Sequence, residues 1–316
     1  MEDIKLKRFL SLLLIAIVFL LSLSACTNTT QKDNGKINIV ATIFPQYDFA
    51  RQIVGEKANL RMLIPPAGES HTYEPTPQDI ISIEEADIFL YIGGESDSWV
   101  DSILDSVDTQ KTKIIKLIDY VTTVNEEIVE GMEKDNDTDE TEIDEHIWTS
   151  PQNAIKMVNA ISETICQADK QNAEFYRTNT EKYIHQLNEL DQQFKDVVDK
   201  SMRKELIFGD RFPLRYFTET YHLNYYAAFP GCSSETEPSA STIAFLTDKV
   251  RKDNIQVILK IELSNATVAE TIAKETNTKV MTFYSCHNLS KKDFDNGETY
   301  LSLMTRNVAT LKIVLN

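Results

Sequence analysis

Short β-branched runs alternate with stretches of helical spacing along most of this chain. Residues 37–43 (INIVATI) read as a buried strand, broken by Phe44-Pro45 and followed by helical spacing over 47–54. Residues 60–64 (LRMLI) form a second strand, and Thr76-Pro77 reads as an N-cap with proline at the first helical position, opening a helix to 85. Strands at 88–92 and 113–117 enclose a helix at 99–107, and Ser150-Pro151 opens another. Between 173 and 200 there is neither glycine nor proline, which predicts one helix roughly 40 Å long. Strands are then expected at 206–208, 225–229, 255–261 and 280–283. The helices between and after them fall at 213–221, 239–252, 265–276 and 300–315. Such alternation implies parallel sheets with right-handed crossovers. The predicted class is α/β: two α/β lobes, each with a mostly parallel sheet flanked by helices, joined by one long helix. The boundaries expected are 36–170, 171–201 and 202–316.

The first residues follow a different pattern. Lys5, Lys7 and Arg8 precede an apolar stretch, 9–23, too short for a comfortable membrane span, which ends in Leu23-Ser24-Ala25-Cys26. Small residues before a cysteine at this point resemble a bacterial lipobox. Residues 1–26 are therefore read as a lipoprotein signal peptide, Cys26 as the lipidated residue, and 27–35 as a polar tether. The expected location is extracytoplasmic, lipid-anchored to a bacterial cell membrane.

Charge and cysteine content narrow the partners. A formal net charge of −17 argues against nucleic acid and against an electrostatic hold on anionic lipid headgroups. Residues 124–145 are acidic and nearly free of large apolar side chains, the pattern of a solvated loop. Besides Cys26 there are three cysteines. Cys166 lies in a helical apolar pattern and reads as core, whereas Cys232 and Cys286 both follow strand-like runs and are expected to pair as a disulfide.

Two of the five histidines stand out by position. His71 lies in PPAGESHTYEPTP, the loop at the carboxyl end of the second strand, and His146 lies in DEHIWTSP before a helix. Each is flanked by acids and an aromatic, namely Glu69, Glu74 and Tyr73 for one and Asp144, Glu145 and Trp148 for the other. Neutral imidazole suits zinc and other borderline metals, and nearby carboxylates orient it. His185 is expected on a helix surface and His222 at a helix C-terminus.

PPAGESHTYEPTP and DEHIWTSPQNA, with Phe44-Pro45, Gly93-Gly94, the long helix and Glu237-Pro238-Ser239, resemble the metal-binding lipoproteins of ABC importers that capture zinc or manganese. The resemblance covers essentially the whole mature chain. It implies two α/β lobes bridged by a rigid helix, with a divalent metal ion bound in the cleft by side chains of both. His71 and His146 match the two ligands from the first lobe. The second lobe departs from the pattern: the third ligand position falls at Gly209 or Arg211, leaving Asp210 as the nearest oxygen donor. The aspartate expected after the last strand is replaced by FYSCHN, where His287 becomes the candidate. Glu237 and Glu262 are further donors, or acceptors standing behind the ligands.

The function so implied is extracytoplasmic capture of a divalent transition metal, with Zn2+ favoured and Mn2+ the main alternative, and delivery to an ABC transporter permease. A monomer is expected. An iron-binding member is the variant within the family. Other classes are an extracellular metallohydrolase, which lacks HExxH spacing and a nucleophile motif here, and an adhesin or binder of an organic solute. No enzyme activity is expected. Imidazole ligands should make metal affinity fall below about pH 6.5.

Overall fold

The computed structural model describes residues 35–105, 107–133, 142–231, 233 and 237–316. Residues 1–34, Cys26 and the tether among them, lie outside the described residues. The first lobe carries β1 (Asn38–Ala41), α1 (Phe44–Val54), β2 (Asn59–Met62), α2 (Pro77–Glu84), β3 (Ile88–Tyr91), α3 (Ser98–Leu104) and β4 (Lys113–Lys116). Helices α4 (Pro151–Ala168) and α5 (Ala173–Asp199) follow. The second lobe comprises β5 (Glu205–Phe212), α6 (Arg215–Tyr221), β6 (Asn224–Pro230), α7 (Ala240–Lys252), β7 (Val257–Lys260), α8 (Thr267–Thr276), β8 (Lys279–Thr282), α9 (Lys291–Asp295) and α10 (Tyr300–Val314).

Both sheets are parallel and wound the same way, in the orders β2-β1-β3-β4 and β6-β5-β7-β8. In each, the chain steps to one side of its first strand and then crosses to the other. That reversal opens a crevice at the carboxyl ends of the strands. Thr76 caps α2 through a reciprocal box with Asp79 and with Pro77 in the first turn, which fixes where the His71 loop ends and the helix starts.

Helix α5 joins the lobes by packing rather than by length alone. Its buried residues Tyr176, Thr180, Tyr183, Leu187, Leu190, Phe194 and Val198 recur at steps of three and four, forming one apolar stripe. That stripe lies on α1, α4 and α10, which come from both halves of the chain. One apolar cluster therefore runs from Ile39 and Phe49 through Tyr183 and Phe194 to Phe208, Phe283 and Leu311. The two outer sheet faces have separate, smaller clusters.

Polar contacts reinforce the junction. Asp48 on α1, fully buried, accepts from the backbone N–H of Tyr300 at 2.7 Å and from Arg51 at 2.6 and 2.9 Å. Burial pushes its carboxyl above the usual range, against the pull of Arg51. Arg51 also donates to the Glu298 carbonyl at 2.8 Å. The Tyr300 hydroxyl donates to the Trp148 carbonyl at 2.7 Å, and the Trp148 indole donates to the Ser285 carbonyl at 2.8 Å.

Two expectations are corrected. Cys286 is a free, buried thiol, so it does not pair with Cys232, which itself lies outside the described residues. Packing and hydrogen bonds of the neighbouring residues hold the Cys286 loop without a covalent link. The acidic segment is docked over its described part: Asn125 pairs with Ile143, Met132 is buried, and the Glu133 N–H donates to the Ala228 carbonyl. The Glu133 carboxylate accepts from Ser239 N and Thr242 Oγ1 at the start of α7, where the helix dipole favours an anion. Among its described acids, Glu133 caps a helix while Glu127, Glu130 and Glu142 remain exposed as the solvated-loop pattern predicts.

Asp48→Ala leaves Tyr300 N and the inward face of Arg51 without their acceptor. It should cost about 3 kcal/mol in urea unfolding. Asp48→Asn, which retains an acceptor for Tyr300 N, should cost clearly less; equal losses would show that the carboxylate does not tie the lobes.

Candidate metal centre

Residues at the carboxyl ends of β2, β5, β6, β7 and β8, with His146 from the segment before α4, line a cavity of about 50 Å3. Glu69, Ser70, His71, His146, Arg211 and His287 are among its lining residues. One nitrogen from each of His71, His146 and His287 lies within 4.8 Å of the other two, a spacing that lets one ion touch all three. The ring centroids are 5.4 to 6.2 Å apart. The first lobe supplies His71, the segment before α4 supplies His146, and the second lobe supplies His287.

Each imidazole is oriented by a separate device. His146 is fully buried and directs Nδ1 at the Asp144 carboxylate, 3.2 Å away, while Asp144 also accepts from the His146 backbone N–H at 2.8 Å. Its Nε2 is buried and has no hydrogen-bond partner among the described residues. A proton on Nδ1 leaves the Nε2 lone pair facing the cavity, the arrangement a metal-binding histidine needs. Burial alone would lower its pKa, but Asp144 and Glu145 outweigh that and hold it above the ordinary histidine range.

His71 is held from behind by a relay. Ser96 Oγ donates to Glu145 and lies 2.9 Å from His71 Nδ1, so its oxygen accepts the Nδ1 proton. Glu145 is anchored further by the Ser96 N–H at 2.9 Å, and burial raises its pKa to about 6. Burial, with the neighbouring His146 charge, lowers His71 to about 4. At neutral pH the ring is uncharged and presents Nε2.

His287 owes its aim to backbone strain. Cys286 before it sits at φ 60°, a left-handed conformation unusual for a side chain of this size, which turns the next residue inward. Glu262 accepts from Ser285 N at 2.6 Å and Ser285 Oγ at 2.8 Å, and that hydroxyl accepts from His287 N. Asn288 Nδ2 donates to the Pro65 and Gly68 carbonyls at 3.0 and 2.8 Å, which binds the His287 loop to the His71 loop. Ser70 Oγ lies 2.7 Å from His287 Nε2. Burial, then the charges of His146 and His71, push His287 well below the ordinary range. Gly231 completes the wall: a Cβ there would stand 3.1 Å from the His146 ring.

Asp210 does not belong to this cluster. A β-bulge between Phe208 and Arg211 turns its carboxylate to the Ile261 N–H at 3.1 Å and the Arg211 N–H at 2.9 Å. It locks two strands of the second sheet, and Arg211 lines the cavity instead. Glu237 is exposed and away from the cavity lining, whereas Glu262 lines it and acts through Ser285. His185 is exposed and His222 ends α6 in the left-handed conformation, as expected from their positions. The roles of Ser96 and Ser285 were not read from the sequence. Their one signal is a polar residue just past the carboxyl end of a strand.

Two parallel-sheet lobes closed on an imidazole-lined crevice define a class, that of two-lobed α/β solute-binding proteins. Within it the chain belongs to the ZnuA family, described as zinc-uptake complex component A, periplasmic, which matches residues 39–314. It is 34% identical over 305 residues to the zinc-binding lipoprotein AdcA of Streptococcus pneumoniae, covering 95% of this chain and 60% of that protein. The chain thus spans under two thirds of the length of that relative. Identity to the high-affinity zinc uptake system protein ZnuA of Bacillus subtilis is 32% over 318 residues, covering 97% of each. The crystal structure of the Zn(II)-bound ZnuA-like domain of the pneumococcal AdcA superposes with a TM-score of 0.74 at 31% identity, over 89% of this chain and 99% of that one.

The depressed His71 pKa has a sign that can be measured. Between about pH 6.5 and 4 the unfolded chain binds a proton at this residue that the native one does not, so stability falls as pH drops through that window. In chelator-treated protein, His71→Asn should lose less stability between pH 7 and pH 5 than the parent; parallel losses in urea unfolding would contradict the assignment.

Proposed function

We propose that this protein captures zinc outside the cell and hands it to an ABC transporter permease. The observation that carries the reading is the convergence of three imidazole nitrogens within 4.8 Å, one of them the buried, unpartnered Nε2 of His146. His71, His146 and His287 are the ligands in this proposal, and Asp210 is withdrawn as a fourth. Names of relatives support the cargo: the pneumococcal and Bacillus proteins are called zinc-binding and zinc uptake proteins.

Ligand chemistry favours zinc over manganese. Three neutral nitrogens suit a borderline ion in a small tetrahedral site, whereas manganese takes more oxygen. Carboxylates close to the cavity are engaged elsewhere: Asp144 by His146, Glu145 by Ser96 and Glu262 by Ser285. Among the described residues, that engagement favours carriage over hydrolysis. Both lobes of one chain supply the ligands, so a single copy suffices. A lipid on Cys26 would keep the carrier at the outer face of the membrane.

A zinc ion taken at His287 Nε2 replaces the Ser70 hydrogen bond, a cost of about 1 kcal/mol. Removing one of three ligands costs far more. His71→Ala, His146→Ala and His287→Ala should each weaken zinc binding on the order of a hundredfold or more in calorimetric titration. Asp210→Asn should stay within about threefold of the parent. Retention of parental affinity by the three alanine variants would overturn the reading.

Protons compete for the same lone pairs. Because His146 is held above the ordinary histidine range and His71 at about 4, affinity should already be declining through protonation of His146 above about pH 6.5, with His71 contributing only as pH approaches about 4. Titrations at a series of pH values with an unchanged constant down to pH 5 would exclude imidazole ligation.

A further inference from the structure

Arg211 is the one side chain in the cavity wall that a cation carrier would be expected to avoid. It enters from the end of β5, beyond the bulge that turns Asp210 away, and lines the cavity with the three histidines. Its guanidinium is within 3.5 Å of Glu69 Oε2 and 3.3 Å of the Ser233 carbonyl, so it is fixed from two sides. Three neutral imidazoles bring no negative charge to a divalent ion, and a tetrahedral ion has a fourth position to fill. The surrounding carboxylates are already held: Asp144 by His146, Glu145 by Ser96, Glu262 by Ser285, Asp210 by Ile261 and Glu69 by Arg211.

We infer that Arg211 recruits a small planar oxyanion of the carboxylate or carbonate type, which completes the coordination of the bound metal. This rests on the ligand assignment proposed above. Two physical arguments select the chemistry. A guanidinium offers parallel N–H donors that match two oxygens of a planar anion, and it is always charged. The cavity of about 50 Å3 has room for roughly three or four water-sized occupants, enough for an ion and the ligating oxygens of a small planar anion. The anion also offsets the repulsion between a divalent ion and a fixed cation at close range, which in a partly buried site is not screened away by solvent. The cargo captured is accordingly a metal–anion pair, and Arg211 is a specificity-determining residue.

The test is zinc titration by calorimetry, with cobalt(II) absorption as a second readout, in buffer made with a non-coordinating anion and then with added formate, bicarbonate or chloride. The parent protein should bind zinc at least about tenfold more tightly with formate or bicarbonate, and the cobalt(II) bands should shift on addition. In Arg211→Gln the response to formate and bicarbonate should vanish while metal still binds. Insensitivity of the parent to either oxyanion, an equal response to chloride, or an undiminished response in Arg211→Gln would each overturn the inference. If the parent binds no zinc or cobalt(II) in any of these buffers, the ligand assignment itself fails, and this inference with it.

Discussion

One buried carboxylate ties the architecture together. Asp48 lies at the heart of α1, and its two oxygens reach the amino end of α10, Arg51 and Gln52. A charge in that position is costly unless it is fully hydrogen-bonded, so the geometry of α1 against α10 is tightly constrained. Around it, Tyr300 reaches Trp148 and Trp148 reaches Ser285. That chain of contacts begins in the scaffold and ends one residue from the strained Cys286 that aims His287. The relative placement of the three imidazoles follows from how the two lobes are fastened.

Within the cleft, burial does most of the chemical preparation. Removing His71 and His287 from water keeps them uncharged, which is the form a metal needs. His146 is treated differently: Asp144 holds its Nδ1 proton and leaves the opposite nitrogen bare. Ser96 links the Glu145 carboxylate to the His71 ring, and Ser285 links Glu262 to the backbone N–H of His287. A carboxylate placed behind a hydroxyl orients without competing for the ion.

The alternating pattern made the fold readable because the central strands are short apolar, β-branched runs between helix signals. Residues 37–43, 88–92 and 255–261 all contain observed strands, and the stretch without glycine or proline became α5. His71 could be singled out because strand ends in open sheets are where ligands bind, and His146 because it stands just before a helix with acids and an aromatic beside it. Asp210 could not be excluded in the same way, since a β-bulge is a tertiary event that leaves no mark in a five-residue segment. The Cys232–Cys286 expectation failed for a related reason: spacing says that two thiols lie in loops, not that their Cβ atoms face each other. The short helix α9 was also missed, being a single turn stabilised by the Ser290 cap more than by periodicity. Ser96 and Ser285 take their carboxylates from partners distant in sequence, 49 and 23 residues away respectively, so those partners could not be read from the local pattern.

The path of α5 has a mechanical consequence. A receptor that grips its cargo like a jaw needs a joint, a short connection about which one half swings. Here the connection between the halves is a helix of 27 residues whose apolar stripe is embedded in a core shared by both. Turning one half against the other would tear that core. At the mouth, Asn288 stitches together the two loops that carry His71 and His287. Parting the two loops would break those stitches. Opening the mouth in that way would break a few hydrogen bonds and leave the shared core intact.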